Sequence, residues 1–244
     1  MRTLAPILLF LAASVVVEPA SAKCMMPSSA LVPASGKVPA GAKLRLLVPQ
    51  YSRAAKPPVV TAKVGNKSIP ALVVRLDTAP AALDAYLVQL GVSAAGPLVV
   101  ELQGASGGVV GTWNLEVDGG WKAPAVAKET PKVGHVVSSW TCSHERSRQL
   151  AFTGGADGYR IVLAAKKGDL SDPKKTQSVY LPSSPLAFFG SKPVASADLR
   201  LGYMNCFGET YEFPTSTMWA EIRALLPDGS EPVVTAAPIA VNAP

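Results

Sequence analysis

Residues 97–117 read PLVVELQGASGGVVGTWNLEV. Two runs suited to extended chain, Pro97–Gln103 and Gly111–Val117, flank the glycine-rich stretch Gly104–Gly108. Glycine enters the positive-φ conformations of a tight turn without steric cost, so the segment predicts a β-hairpin. Upstream the same grammar repeats. Lys43–Val48 (KLRLLV) alternates in part and stops at Pro49, while Val59–Val64 runs into the turn dipeptide Gly65-Asn66. Ser68–Leu76 resumes as a strand interrupted by Pro70, and Ala85–Leu90 places Tyr86, Val88 and Leu90 on one face. Ala79–Asp84 is the one stretch that admits a short helical turn.

Composition agrees with strands. The chain of 244 residues is 48% hydrophobic but only 16% charged, and it holds 20 Gly and 22 Pro. Helices do not tolerate that density of proline, whereas short strands joined by turns do. Downstream the expected strands are His135–Cys142, Arg148–Thr153, Tyr159–Ala165, Ser178–Leu181, Asp198–Cys206 and Met218–Leu225. Pro227-Asp228-Gly229-Ser230 is a turn, and Pro232–Val241 is the returning strand. The fold class is all-β, with turn signals spaced for sandwiches rather than for βαβ units.

The first residues concern location. Met1-Arg2-Thr3 is a short basic start, Leu4–Val17 is apolar but too short to span a bilayer, and Ala20-Ser21-Ala22 resembles a cleavage site. Residues 1–22 are therefore expected to be a signal peptide, with Lys23 the mature N-terminus and the protein secreted or periplasmic. Lys23 occupies the place where a lipobox needs a small residue, which argues against lipid on Cys24. No later run reaches the roughly 18–20 apolar residues of a membrane helix. The mature chain divides into a module over 23–122, a linker over 123–132 (APAVAKETPK) with nothing to bury, and a module over 133–244. Two domains of this size are each expected to hold their own core.

The segment Pro33-Ala34-Ser35-Gly36-Lys37-Val38-Pro39 leading into Lys43–Val48, with the strands Tyr86–Leu90 and Leu98–Gln103, resembles the start of bacterial immunoglobulin-like domains. The second module resembles a fibronectin-III-like domain in its strand rhythm. The resemblance implies two tandem β-sandwiches serving as spacer, adhesion or binding modules, and it implies no particular activity.

In an exported sandwich, Cys142 and Cys206 near two strand ends are candidates for a disulfide, with Trp140 packed on it. Cys24 is then left over, free or linking two chains; its pairing with either other cysteine stays open. The alternative use of the same residues is zinc, with Cys142 and His144 at i, i+2 and Cys206, together with His135, completing a tetrahedral set. An oxidising compartment and the lack of Cys-x-x-Cys knuckles favour the disulfide. No cofactor is expected.

Nine basic residues and no acidic one lie between Lys23 and Arg75. Lys43, Arg45, Arg53, Lys56, Lys63, Lys67 and Arg75 are the candidates for binding an anionic partner, against the alternative of a solvated strand face. Nucleic acid is not the expected partner, since no reading motif appears and the aromatics do not interleave with the basic residues. Tyr203, Phe207, Tyr211 and Phe213 are candidates for an aromatic platform, against ordinary core and cross-strand roles. Glu209, Glu212 and Glu221 are the carboxylates a glycoside hydrolase would need. Asp169-Leu170-Ser171-Asp172 is a calcium candidate without EF-hand spacing. These readings add up to a non-catalytic exported protein that binds a protein or polysaccharide. A two-domain periplasmic assembly chaperone is the alternative, and a secreted hydrolase comes third.

Overall fold

The computed structural model describes residues 29–49, 57–76, 83–104, 106–140, 143–183, 196–204, 208–209 and 211–244. Within them lie the strands β1 Ala30–Val32, β2 Gly36–Val38, β3 Lys43–Pro49, β4 Val59–Val64, β5 Lys67–Ile69, β6 Ala71–Arg75, β7 Leu83–Leu90, β8 Gly96–Gln103 and β9 Val109–Val117. They form a sheet of order β1-β3-β7-β6 and a second of order β2-β9-β8-β4-β5. The hairpin read from residues 97–117 is β8–β9, with Gly107 at positive φ in its turn.

Two strand pairs show how the chain passes between the layers. Pro70 lacks the N–H a continuous strand would need, and the run over Ser68–Leu76 splits there. β5 stays with β4 in one sheet, while β6 pairs with β7 in the other. Likewise β1 pairs antiparallel with β3, and after the 33–35 bend β2 pairs parallel with the end of β9. Four strands facing five around one core make a β-sandwich, with an edge strand divided between the layers. Leu44, Leu46, Val48, Val88, Leu98, Val100 and Leu115 are among the side chains buried between the layers.

The second half contains β10 Lys132–Trp140, β11 Ser143–Phe152, β12 Gly158–Ala164, β13 Thr176–Pro182, β14 Ala197–Met204, β15 Gly208–Glu209, β16 Thr217–Ala224 and β17 Ile239–Asn242. Their sheets have the orders β10-β11-β14-β15 and β13-β12-β16-β17. The helical turn among the described residues is the 3-10 turn Lys167–Asp169; of the turn expected over Ala79–Asp84, residues 79–82 lie outside the described residues. Leu83 and Asp84 already belong to β7, where Asp84 pairs with Val48. Pro232–Val241 does not return as one strand. Val233 and Thr235 make isolated bridges, and only from Ile239 does the chain pair regularly, because Pro232 and Pro238 interrupt the donors.

The cores are not separate. Ala30, Val32, Leu47, Leu83 and Ala85 of the first module are continuous with the core containing Leu150, Tyr159, Ile161, Leu199 and Ile222 of the second. β3 shows why: Leu44, Leu46 and Val48 face the first core, and Leu47 lies beneath the second module. The Lys43 amide donates to the Pro227 carbonyl at 2.7 Å. A Cβ on Gly158 would stand 2.8 Å from Val32 Cγ1, so the modules approach to a distance that only glycine allows there. Residues 123–132 also bury more than their composition suggests. Val126 packs against the shared core, and Glu129 pairs with Thr235 while its carboxylate accepts the Thr153 amide at 3.0 Å. No helix among the described residues is long and apolar enough to cross a membrane.

Candidate functional site

The basic residues of the first module do not make one surface. Arg45 is buried at 6% exposure, and its Nη2 meets Glu231 Oε1 at 2.9 Å. That places it in the contact between modules rather than on an anion-binding face, a correction explained by the second module covering the outer side of β3. Arg75 pairs with the buried Asp84 at 2.9 Å, and Lys63 approaches Glu101 at 3.9 Å. Lys63 and Lys67 belong to one sheet, while Lys43 and Arg75 belong to the other. Arg53 and Lys56 lie outside the described residues.

The aromatic set also divides. Tyr211 has no exposure, donates its hydroxyl hydrogen to Gln177 Oε1 at 3.0 Å, and meets the half-buried Phe213 edge-on at 4.9 Å between centroids. Burial pushes its phenol up to about 12. Tyr211 and Phe213 are thus core, not platform. Period-two alternation around the exposed Glu212 is the signal for this in the sequence. Tyr203 is 44% exposed on β14, and Phe207 lies outside the described residues.

The metal and carboxylate candidates are dispersed or occupied. Cys24, Cys142 and Cys206 lie outside the described residues; His135 sits exposed on β10, and His144 lies opposite Ser139 on the β10–β11 hairpin. Among the described residues no group of three or more His, Cys, Asp and Glu is arranged to hold a metal ion. Asp169 and Asp172 both face Lys175, at 3.3 and 3.7 Å, so an ammonium stands at the calcium candidate. Those contacts hold Lys175 above the usual ammonium range, the hydrogen bond it donates to Asp169 contributing most. Glu221 is bound by Arg223 at 2.7 Å and Glu212 is exposed, while Glu209 lies on β15.

What the fold does bring together is a row across three strands. Val137 on β10 lies opposite Arg146 on β11, which lies opposite Tyr203 on β14. Directly opposed residues of antiparallel strands share a face, so an aliphatic, a guanidinium and a phenol stand side by side. Val137 is 67% exposed and Arg146 is exposed as well, with no carboxylate partner among the described residues. Two residues along, His135 faces Arg148, whose guanidinium is bound to the Asn242 and Ala243 carbonyls, each at 3.0 Å. Arg200, on β14, is by contrast saturated. It binds Asp198 at 2.7 Å and Glu145 at 2.8 Å, and Asp198 does most to hold it above the usual guanidinium range. Among the described residues Arg146 is therefore the arginine of this sheet left available to a partner. Alternation alone could not single it out within SHERSRQL, where it is one of two arginines.

No protein-family profile matches the chain, and no curated protein matches it. Among solved structures, a type I pullulanase of Bacillus subtilis complexed with maltose is similar over 85% of this chain and 24% of its own, at 10% identity and a TM-score of 0.27. A pullulanase from Anoxybacillus complexed with maltotriose is similar over 82% and 27%, at 8% identity and a TM-score of 0.24. A multidomain segment of titin is similar over 85% and 66%, at 14% identity and a TM-score of 0.21. The chain spans about a quarter of the length of these pullulanases.

Proposed function

We propose that this chain is an exported, non-catalytic binding protein of the cell envelope or exterior, acting through its β-sandwich surfaces. Its contact for a protein or polysaccharide bearing anionic groups is the row Val137, Arg146 and Tyr203. The observation that carries this reading is Arg146, exposed between an aliphatic and an aromatic side chain while Arg45, Arg75, Arg200 and Arg223 are ion-paired. A guanidinium supplies directed, charge-assisted hydrogen bonds to a carboxylate, and a flanking phenol stacks against sugar or peptide. Strands position such a row more rigidly than loops would, and the row continues the face that carries Leu150, Leu199 and Leu201 into the shared core.

Affinity electrophoresis tests it, with native gels carrying polygalacturonate, polyglutamate or neutral dextran. The protein should be retarded by one of the two carboxylate polymers and not by dextran, with the effect falling steeply as salt rises. Arg146→Ala should weaken it about tenfold or more, the scale of one charged hydrogen-bonded contact, and Tyr203→Ala should weaken it less. Retardation that ignores Arg146→Ala, or equal mobility in all three gels, would overturn the reading.

The assembly-chaperone alternative finds its support in β9. β2 pairs only with Leu115–Val117, while Val109 and Val110 are 53% and 61% exposed at the far end. A chaperone would capture an extended apolar peptide there, and Val110→Asp would abolish that capture while leaving the gel retardation intact.

A further inference from the structure

β10 is an edge strand of nine residues, and it lacks the usual protections of an edge. It has no bulge in its pairing with β11, no proline, and a single charge, Lys132, at its start. Exposed apolar residues on a long flat edge invite another strand to pair. Here Val133 and Val137, 45% and 67% exposed, stand two residues either side of His135. That spacing is its own complement. An antiparallel partner copy related by a two-fold axis at His135 would place Val133 opposite Val137 of the other chain, and Val137 opposite Val133.

We infer that β10 pairs with β10 of a second copy, joining two sheets of order β10-β11-β14-β15 into one continuous sheet. In this register Gly134 faces Val136, Lys132 faces Ser138, and only His135 meets itself, so no two permanent charges are opposed. Backbone donors and acceptors alternate along an edge with a period of two, so a two-fold axis on one residue aligns them without a shift. Seven residues of each strand, Lys132–Ser138, fall within the overlap, roughly 24 Å of sheet at ~3.4 Å per residue. β6 also exposes apolar residues, Leu72 at 60% and Val74 at 44%, but it has only five residues and ends in Arg75. Among the two edges, β10 is the one whose pattern is both long and self-complementary. Pairing at the edge sets Val133 of the second copy beside Val137 and leaves Arg146 and Tyr203, one and two strands in from the edge, open.

Sedimentation of the mature protein tests this in a Cys24→Ser background, which removes a chain-linking disulfide as an explanation. The weight-average mass should rise from monomer toward dimer between about 1 and 100 µM, the range of a modest strand-edge interface. Val137→Lys and Val133→Lys, each placing a lysine on the edge, should each raise the dissociation constant about tenfold or more. Leu72→Lys, an equal change on β6, should not. Both Val positions are solvent-exposed, and coincident thermal melts will show that the variants fold. A mass that stays monomeric throughout, or a dimer dissolved by Leu72→Lys but not by the β10 changes, would overturn the inference.

Discussion

Arg45 and Glu231 lie 186 positions apart in the chain and meet at 2.9 Å between the two modules. Glu231 holds a second guanidinium, that of Arg160, on its other oxygen at 3.0 Å. Arg160 in turn binds Ser178 Oγ at 2.9 Å and lies over the Tyr180 ring. The carboxylate is thus shared by one arginine from each module, and Arg45 is the more deeply buried of the two.

Removing the shared carboxylate strands Arg45 in the interface. Glu231→Ala should therefore cost about 3 kcal/mol, the scale for leaving a buried charge unpaired. Arg160→Ala, whose side chain is 29% exposed, should cost no more than about 1 kcal/mol. Urea unfolding of the two variants gives both numbers. A Glu231→Ala midpoint equal to wild type would show that the triad is energetically idle.

Gly158 reports on the same contact through sterics alone. Its added methyl would lie 2.8 and 3.0 Å from the two Val32 Cγ atoms, across the modules. Gly158→Ala should destabilise by about 1–3 kcal/mol, as overpacking does. Val32→Ala should recover part of that loss in the double variant. Additive effects of the two substitutions would mean that Val32 and Gly158 are not in contact in solution.

Legibility in the sequence tracks burial. β4 and β8 have one face inward, so their alternation is plain, and Pro70 correctly marks a break; β7 alternates only over Tyr86–Leu90, because Leu83 and Ala85 before it face the shared core. β3 is covered on both sides, which turns alternation into the near-continuous KLRLLV and makes Arg45 look like surface. Leu47 on the same face as Arg45 is the local sign of that cover, but the partner Glu231 is too distant in the chain for any local pattern to reveal it. Ser143–Ser147 does not read as strand because its side chains are polar, although its backbone pairs with β10 throughout and with β14 from Arg146 on. Glu145 there answers Arg200 and Ser147 rather than apolar core. The row Val137–Arg146–Tyr203 depends on the register of three strands, which exists only in the folded sheet.

Cys142 and Cys206 of the second module lie outside the described residues. If the chain is exported, as proposed, a disulfide between them is the expected state. Unreduced mass spectrometry should find two hydrogens missing, with the two cysteine peptides linked. Removing the bridge should cost about 2–4 kcal/mol. Free thiols with a bound metal ion would replace the disulfide with the zinc alternative.

Tyr211 links the core to pH. Its phenol is buried and its pKa is pushed up to about 12 by loss of solvation, from an ordinary 10.0. The unfolded chain therefore releases this proton first as pH rises. The contribution of this group is complete below pH 10, falls as pH climbs from 10 toward about 12, and changes no further above that. The loss from Tyr211 is on the order of 2–3 kcal/mol. Tyr211→Phe removes the ionisation and also the hydrogen bond to Gln177, so it should cost about 1 kcal/mol at neutral pH. The same variant should flatten the fall above pH 10, although Tyr159, likewise raised by burial, keeps some slope. Guanidinium melts at pH 8, 10 and 11.5 separate the two effects. Parallel curves for wild type and Tyr211→Phe across that range would place the Tyr211 phenol in contact with solvent, on a platform rather than in the core.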